Sequence, residues 1–163
     1  MGPWARKMVL VGVLLAGCDA RRIAELEEGV ATEADVRARF GEPAAIYAEP
    51  GGARTFEYPR QPEGRRNYMI TIGPDGRMSA LRQVLKAETF AKVAPGMDRA
   101  RVRRLLGKPA QVQTYELKQQ EVWDWRYLEA GQGRQFAVTF DSAGRVLTSG
   151  ATIDPRENQV GGR

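Results

Sequence analysis

Cys18 is the only thiol in a chain of 163 residues that contains no histidine. A lone thiol can be acylated or oxidised, but the second group that its catalytic uses require is missing. Histidine-based zinc sites, Ser-His and Cys-His nucleophiles and internal disulfides are therefore excluded. Carboxylates remain as candidates for acid–base work. Glu25, Glu27 and Glu28 fall on a predicted helix beside Arg21 and Arg22, as a solvated charged face does, and Glu116, Glu121 and Asp124 fall on or beside strand ends. None sits in a recognisable catalytic pattern, so no residue is assigned a catalytic role and no metal or cofactor is expected. Trp123, Trp125 and Tyr127 share one face of a predicted strand. Buried, that row is core; if the face is open, Trp125 and Tyr127 become a candidate partner-binding pair, because Trp and Tyr are enriched at binding hot spots.

The segment ahead of Cys18 decides how that thiol is used. Arg6 and Lys7 precede the apolar run from Met8 to Leu15, and Ala16-Gly17 follow it. A basic start, a short apolar run and a small-residue cleavage site define a secretory signal, here over residues 1–17. The run stops well short of the ~20 apolar residues that a membrane span needs.

Leu15-Ala16-Gly17-Cys18 resembles the bacterial lipobox, Leu-small-small-Cys. The resemblance implies cleavage before Cys18, an S-diacylglycerol on its sulfur and an acyl chain, such as palmitate, on its new amino group. Each buried methylene contributes ~0.8 kcal/mol, so two chains already hold a protein stably on a membrane. Membrane lipid is thus the first expected partner, and the chain is expected to face the periplasm. Asp19 leaves the choice of membrane open, because an aspartate at that place goes with inner-membrane retention in enteric bacteria; the outer membrane is the first expectation.

The formal net charge of +5 raises the question of nucleic acid. The basic residues are scattered, with short clusters at Arg65-Arg66 and from Arg99 to Arg104. That distribution reads as a solvated face with weak attraction to anionic headgroups. No nucleic acid and no small-molecule substrate is expected.

The sequence repeats itself. Ile23-x-x-Leu26-x-x-Gly29 returns as Phe90-x-x-Val93-x-x-Gly96, and Val36-x-x-x-Phe40-Gly41-Glu42-Pro43 as Val102-x-x-x-Leu106-Gly107-Lys108-Pro109. Phe56-Glu57-Tyr58 returns as Trp123-Asp124-Trp125, and Thr71-Ile72 with Gly76-Arg77-Met78 as Thr139-Phe140 with Gly144-Arg145-Val146. The offset stays between 66 and 68 residues throughout. Five ordered blocks at a near-constant offset mark a tandem repeat.

Each copy carries its own punctuation. Thr32 with Asp35 is a capping-box pattern, and Gly41 with Pro43 ends that helix. Asp98 opens the corresponding helix of the second copy, and Gly107 with Pro109 ends it. Shorter helices are predicted around residues 20–28 and 87–94. Tyr68, Ile70 and Ile72, then Trp123, Trp125 and Tyr127, then Phe136, Val138 and Phe140 each alternate with more polar neighbours, which predicts sheets covered on one side only. Pro74-Asp75-Gly76 and Asp141-Ser142-Ala143-Gly144 are turns into a last strand. The fold class is α+β: two tandem repeats, each with two short helices on a three- to four-stranded antiparallel sheet.

The second copy resembles the BamE-like (SmpA/OmlA) lipoprotein family. The residues that carry the resemblance are Gly96-Met97-Asp98, Val102, Leu106-Gly107-Lys108-Pro109, Trp123-Asp124-Trp125-Arg126-Tyr127 and Val138-Thr139-Phe140-Asp141 ending at Gly144. The first copy matches more weakly, with Phe56 where the family has Trp. A tandem of such units is similar in plan to bacterial β-lactamase inhibitor proteins, which clamp their target with sheet faces. The expected organisation is a signal peptide at 1–17, a first, divergent repeat at 18–86, a second repeat at 87–154 and a loose tail at 155–163. The resemblance implies a membrane-anchored, non-catalytic binding or scaffold protein of cell-envelope assembly, with the β-barrel assembly machinery as the expected protein partner. The alternative is a lipid-tethered recognition module, such as a protein inhibitor or an envelope-polymer binder.

Overall fold

A computed structural model describes residue 23 and residues 25–157. Cys18, the signal peptide and residues 20–22 and 24 of the helix expected at 20–28 lie outside the described residues; residues 25–28 are described and form turns and irregular backbone, so the expected helix does not extend over them. Helix α1 (Glu33–Phe40) leads into strands β1 (Ala45–Ala48), β2 (Arg54–Pro59), β3 (Asn67–Ile72) and β4 (Met78–Gln83). Helices α2 (Ala87–Phe90) and α3 (Arg99–Leu106) then lead into β5 (Gln111–Tyr115), β6 (Gln120–Glu129), β7 (Gln132–Phe140) and β8 (Val146–Ile153). The strands form two four-stranded antiparallel meanders, β1-β2-β3-β4 and β5-β6-β7-β8.

Local chemistry sets the helix ends. The Thr32 side chain accepts from Asp35 N–H, and the Asp35 carboxylate accepts from Thr32 N–H at 2.9 Å, which closes the expected capping box. Asp98 accepts from Arg101 N–H at 2.8 Å and starts α3. Both helices stop at a glycine with positive φ, Gly41 at 81° and Gly107 at 75°, whose N–H groups reach back to the carbonyls of Arg37 and Arg103. Helix α2 ends at Phe90, short of the expected residue 94. Beyond it the chain turns by three-residue hydrogen bonds, Lys92 N–H to Thr89 O and Val93 N–H to Phe90 O, toward Pro95.

Equivalent hydrogen bonds recur in the two sheets. Gly29 N–H donates to Met78 O at 2.7 Å, and Gly96 N–H to Val146 O at 2.8 Å. Ala44 N–H donates to Glu57 O, and Ala110 N–H to Asp124 O. A register shift falls between Thr71 and Ile72 in the first sheet and between Thr139 and Phe140 in the second.

Each sheet lays its apolar face on its own helix. In the first core, Val36 and Phe40 of α1 pack on Phe56, Tyr58, Tyr68, Ile70, Ile72 and Met78. In the second, Val102 and Leu106 of α3 join Phe90 and Val93 over Trp125, Tyr127, Phe136, Val138 and Phe140. Phe90 stacks on Phe136 with ring centroids 4.2 Å apart.

One expectation is corrected here. The first sheet is covered on both faces: Glu57, Asn67 and Met69 are buried on the side away from its core. Met69 belongs to the second core, where Leu105 of α3 also packs. Helix α3 therefore lies between the two sheets, which alternation along one strand could not reveal.

The two glycine stops differ in their surroundings, and this gives a test. A Cβ on Gly41 would meet nothing within 4 Å, whereas one on Gly107 would meet the Asn67 side-chain nitrogen at 2.9 Å. Gly41→Val should cost ~1–3 kcal/mol from the left-handed backbone alone. Gly107→Val should cost measurably more, because Asn67 must also move. Paired denaturant titrations check this; equal midpoint shifts would remove the close approach as a cause.

Candidate interaction site

Trp125 and Tyr127, the candidate partner-binding pair, are core residues, with 0% and 2% of their surfaces exposed. Trp125 sits 6.0 Å from Trp123, and Tyr127 meets Phe90 at 4.8 Å. The face they occupy is roofed by α2 and α3, so neither is available to a partner and the conditional binding role is withdrawn. Two of the carboxylates singled out as acid–base candidates are engaged in the fold: Glu121 accepts from Arg99 and from the Trp123 indole N–H, and Asp124 accepts from Gln135 at 2.8 Å. Burial pushes the Asp124 carboxyl above its ordinary pKa, against the opposing effect of the Gln135 hydrogen bond. Among the described residues, no group of three or more Cys, Asp or Glu side chains is placed to hold a metal ion.

The concentration of buried polar chemistry lies instead at the joint between the sheets. Glu57 is fully buried. Its carboxylate accepts from Tyr47 Oη at 2.6 Å, from Lys108 N–H at 2.8 Å and from the Arg103 Nε and Nη2 groups at 3.3 Å. Burial, then the Glu57 hydrogen bond, pushes the Tyr47 phenol up to about 12. Burial disfavours the Arg103 charge, but its bonds to Glu57 outweigh that and carry the guanidinium above its usual range.

Beside Glu57, the Asn67 amide donates to Leu106 O at 2.7 Å and to Lys108 O at 3.0 Å. From the opposite side the Trp125 indole N–H donates to Gly107 O at 2.9 Å. Successive carbonyls at the end of α3 are thus taken up alternately by the first sheet and the second. Those groups have no partner within the helix, so both sheets supply what a helix C-terminus lacks.

A second set of contacts joins the sheets further along. The Gln61 side chain donates to Arg126 O at 2.7 Å and accepts from Arg126 N–H at 3.3 Å, as a neighbouring strand would. Arg126 Nε donates to the Asp154 carboxylate at 2.7 Å. Burial alone would raise the Asp154 pKa, but the hydrogen bonds from Arg126 and from the Arg156 backbone, with the charges of Arg126 and Arg65, lower it overall. Arg65 also pairs with Glu157. The first residues of the tail, expected to be loose, are therefore held down as far as Glu157.

Sequence reasoning missed Glu57, Asn67, Arg103 and Gln61. The one available signal was a carboxylate between two aromatics in Phe56-Glu57-Tyr58, which reads equally well as an outward, solvated position.

Residues 83–150 match the family model described as the outer membrane protein assembly factor BamE domain. The second unit is similar to the BamE-like family over these residues, which make up less than half of the chain. The matched stretch spans α2, α3 and β5 to β7, together with β8 as far as Gly150. BamE-like proteins are accessory lipoproteins of the outer membrane that face the periplasm.

Three solved structures are similar to the chain. The osmotically inducible lipoprotein OsmE is 27% identical over 47% of this chain and 82% of its own, with a TM-score of 0.38. The DUF4309 family protein YjgB from Bacillus subtilis is 19% identical over 80% and 83%, with a TM-score of 0.32. A β-lactamase inhibitor protein from Streptococcus mutans is 10% identical over 84% and 97%, also with a TM-score of 0.32. No curated protein matches the chain significantly.

Proposed function

We propose that this chain is a lipid-anchored, periplasm-facing and non-catalytic protein-binding component of outer-membrane β-barrel protein assembly. The observation that carries the reading is the match of residues 83–150 to the BamE domain. Two further features support it. The lipobox-like Leu15-Ala16-Gly17-Cys18 precedes the first sheet in the sequence and supports acylation at Cys18. The hydrogen bonds shared by the two sheets support a first unit that is a divergent copy of the same module. In this reading the first copy is a platform: it holds α3 in place through Glu57 and Asn67, and the anchor holds the platform at the outer membrane.

An affinity pull-down of the full-length, lipidated protein from mildly solubilised envelopes tests the proposal. Recovery of β-barrel assembly components is the expected result. Recovery of a single unrelated enzyme would make the chain an inhibitor on a borrowed fold, and recovery of lipid alone would remove the protein-binding role.

The anchor has its own test. Cys18→Ala should leave a full-length precursor that takes up no radioactive palmitate. Labelling that persists in this variant would rule out Cys18 as the lipidated residue.

A further inference from the structure

Strand β8 forms one edge of the second sheet. It has eight residues, none charged and none proline, and seven of them are exposed. Long uncharged edges invite pairing, and proteins usually blunt them with a charge, a proline or a covering group. The corresponding edge strand of the first sheet, β4, is blunted in this way. It carries Arg82, and its Leu81 N–H is capped by the Glu28 carboxylate at 2.9 Å. Pro95 occupies the place that corresponds to Glu28 and offers no side-chain acceptor.

Only the start of β8 is covered, by the bonds from Gly96 N–H to Val146 O and from Val146 N–H to Met97 O. Among the described residues nothing beyond β7 pairs with the backbone from Leu147 to Ile153. Leu81 turns its backbone outward in β4. Its counterpart Ser149, with Ala151 and Ile153, does the same in β8, while Thr148, Gly150 and Thr152 turn inward to β7.

We propose that β8 is a self-pairing edge: two copies of the chain join β8 to β8, antiparallel and centred on Gly150, so that their second sheets become one sheet of eight strands. The residue pattern selects both the occupant and the register. About Gly150, Leu147 of each copy faces Ile153 of the other, so the two large exposed apolar residues of the strand, 41% and 46% exposed, cover each other twice. Thr148 faces Thr152, and Ser149 faces Ala151. No charge opposes another, and each strand offers the same surface, as a two-fold interface requires. A slip of two residues loses this match: Leu147 would meet Ala151 or Pro155, and Ile153 would meet Arg145 or Ser149.

The proposal stands independently of the assembly role, and cysteine cross-linking of the full-length protein in its own envelope tests it. Gly150 tolerates a side chain, since a Cβ there meets open space and its backbone is not left-handed. On the two-fold axis the two residues form a non-hydrogen-bonded pair with Cα atoms ~4.5 Å apart, within the reach of a disulfide. Gly150→Cys is expected to migrate as a dimer after oxidation and to return to monomer on reduction, above the baseline of the unsubstituted chain. Thr148→Cys alone should give no dimer, whereas Thr148→Cys expressed together with Thr152→Cys should. Ala151→Pro, which removes only an outward N–H, should abolish the Gly150→Cys cross-link without lowering the melting temperature. Absence of the Gly150→Cys dimer, equal cross-linking by Thr148→Cys alone, or a cross-link to a different protein would each overturn the assignment.

Discussion

Replacing Glu57 with alanine is expected to cost ~2–4 kcal/mol, more than any other single polar truncation at the joint. The substitution leaves Lys108 N–H and the Tyr47 phenol without an acceptor and the Arg103 guanidinium without its carboxylate. Removing one partner of a buried pair costs more than the pair contributes, because the other groups stay desolvated and unmatched. Arg103 keeps 38% of its side chain exposed and can recover some hydration, which holds the figure below the upper end seen for fully buried pairs. A double-mutant cycle with Arg103→Ala, read by denaturant unfolding, checks the mechanism. The second substitution should cost clearly less once Glu57 is gone; strict additivity would show that the two side chains act separately.

Trp125→Ala carries the largest expected loss in the second core, ~3–5 kcal/mol. The indole is fully buried between α3 and the sheet, and its removal opens a cavity beside Trp123. It also releases Gly107 O from its hydrogen bond just where the chain leaves α3. Trp125→Phe should restore most of the packing but not that bond, and so fall between alanine and wild type. Equilibrium unfolding of the three proteins tests this, and a loss under ~2 kcal/mol for the alanine variant would contradict the core assignment.

Local chemistry made much of this fold readable. Thr32 with Asp35, Asp98, and the glycines at 41 and 107 mark helix ends through bonds that span only a few residues, so their meaning survives without knowledge of the rest of the chain. The apolar alternation of β3, β6 and β7 likewise identified which residues share a face. Alternation is silent on what covers the opposite face. Glu57, Asn67 and Met69 were legible as outward residues of strands, yet they are buried because α3 arrives from beyond residue 98 and occupies that side. Trp125 and Tyr127 show the same gap from the other direction: their common face was evident, but the roof over it was a tertiary fact. The resemblance to the BamE-like family was carried by the spacing of Leu106-Gly107-Lys108-Pro109 and Trp123-Asp124-Trp125, which are helix-stop and core residues; a surface that meets a partner leaves no comparable pattern.

Helix α3 has a mechanical consequence. Its exit turn is gripped from one side by Asn67 and from the other by Trp125, while Gln61 and Arg126 tie the sheets at a second point. Two separated fastenings resist swivelling in a way that a single linker cannot. A force applied to one half is therefore transmitted to the other as leverage about the shared helix, and whatever holds the first sheet sets the orientation of the second.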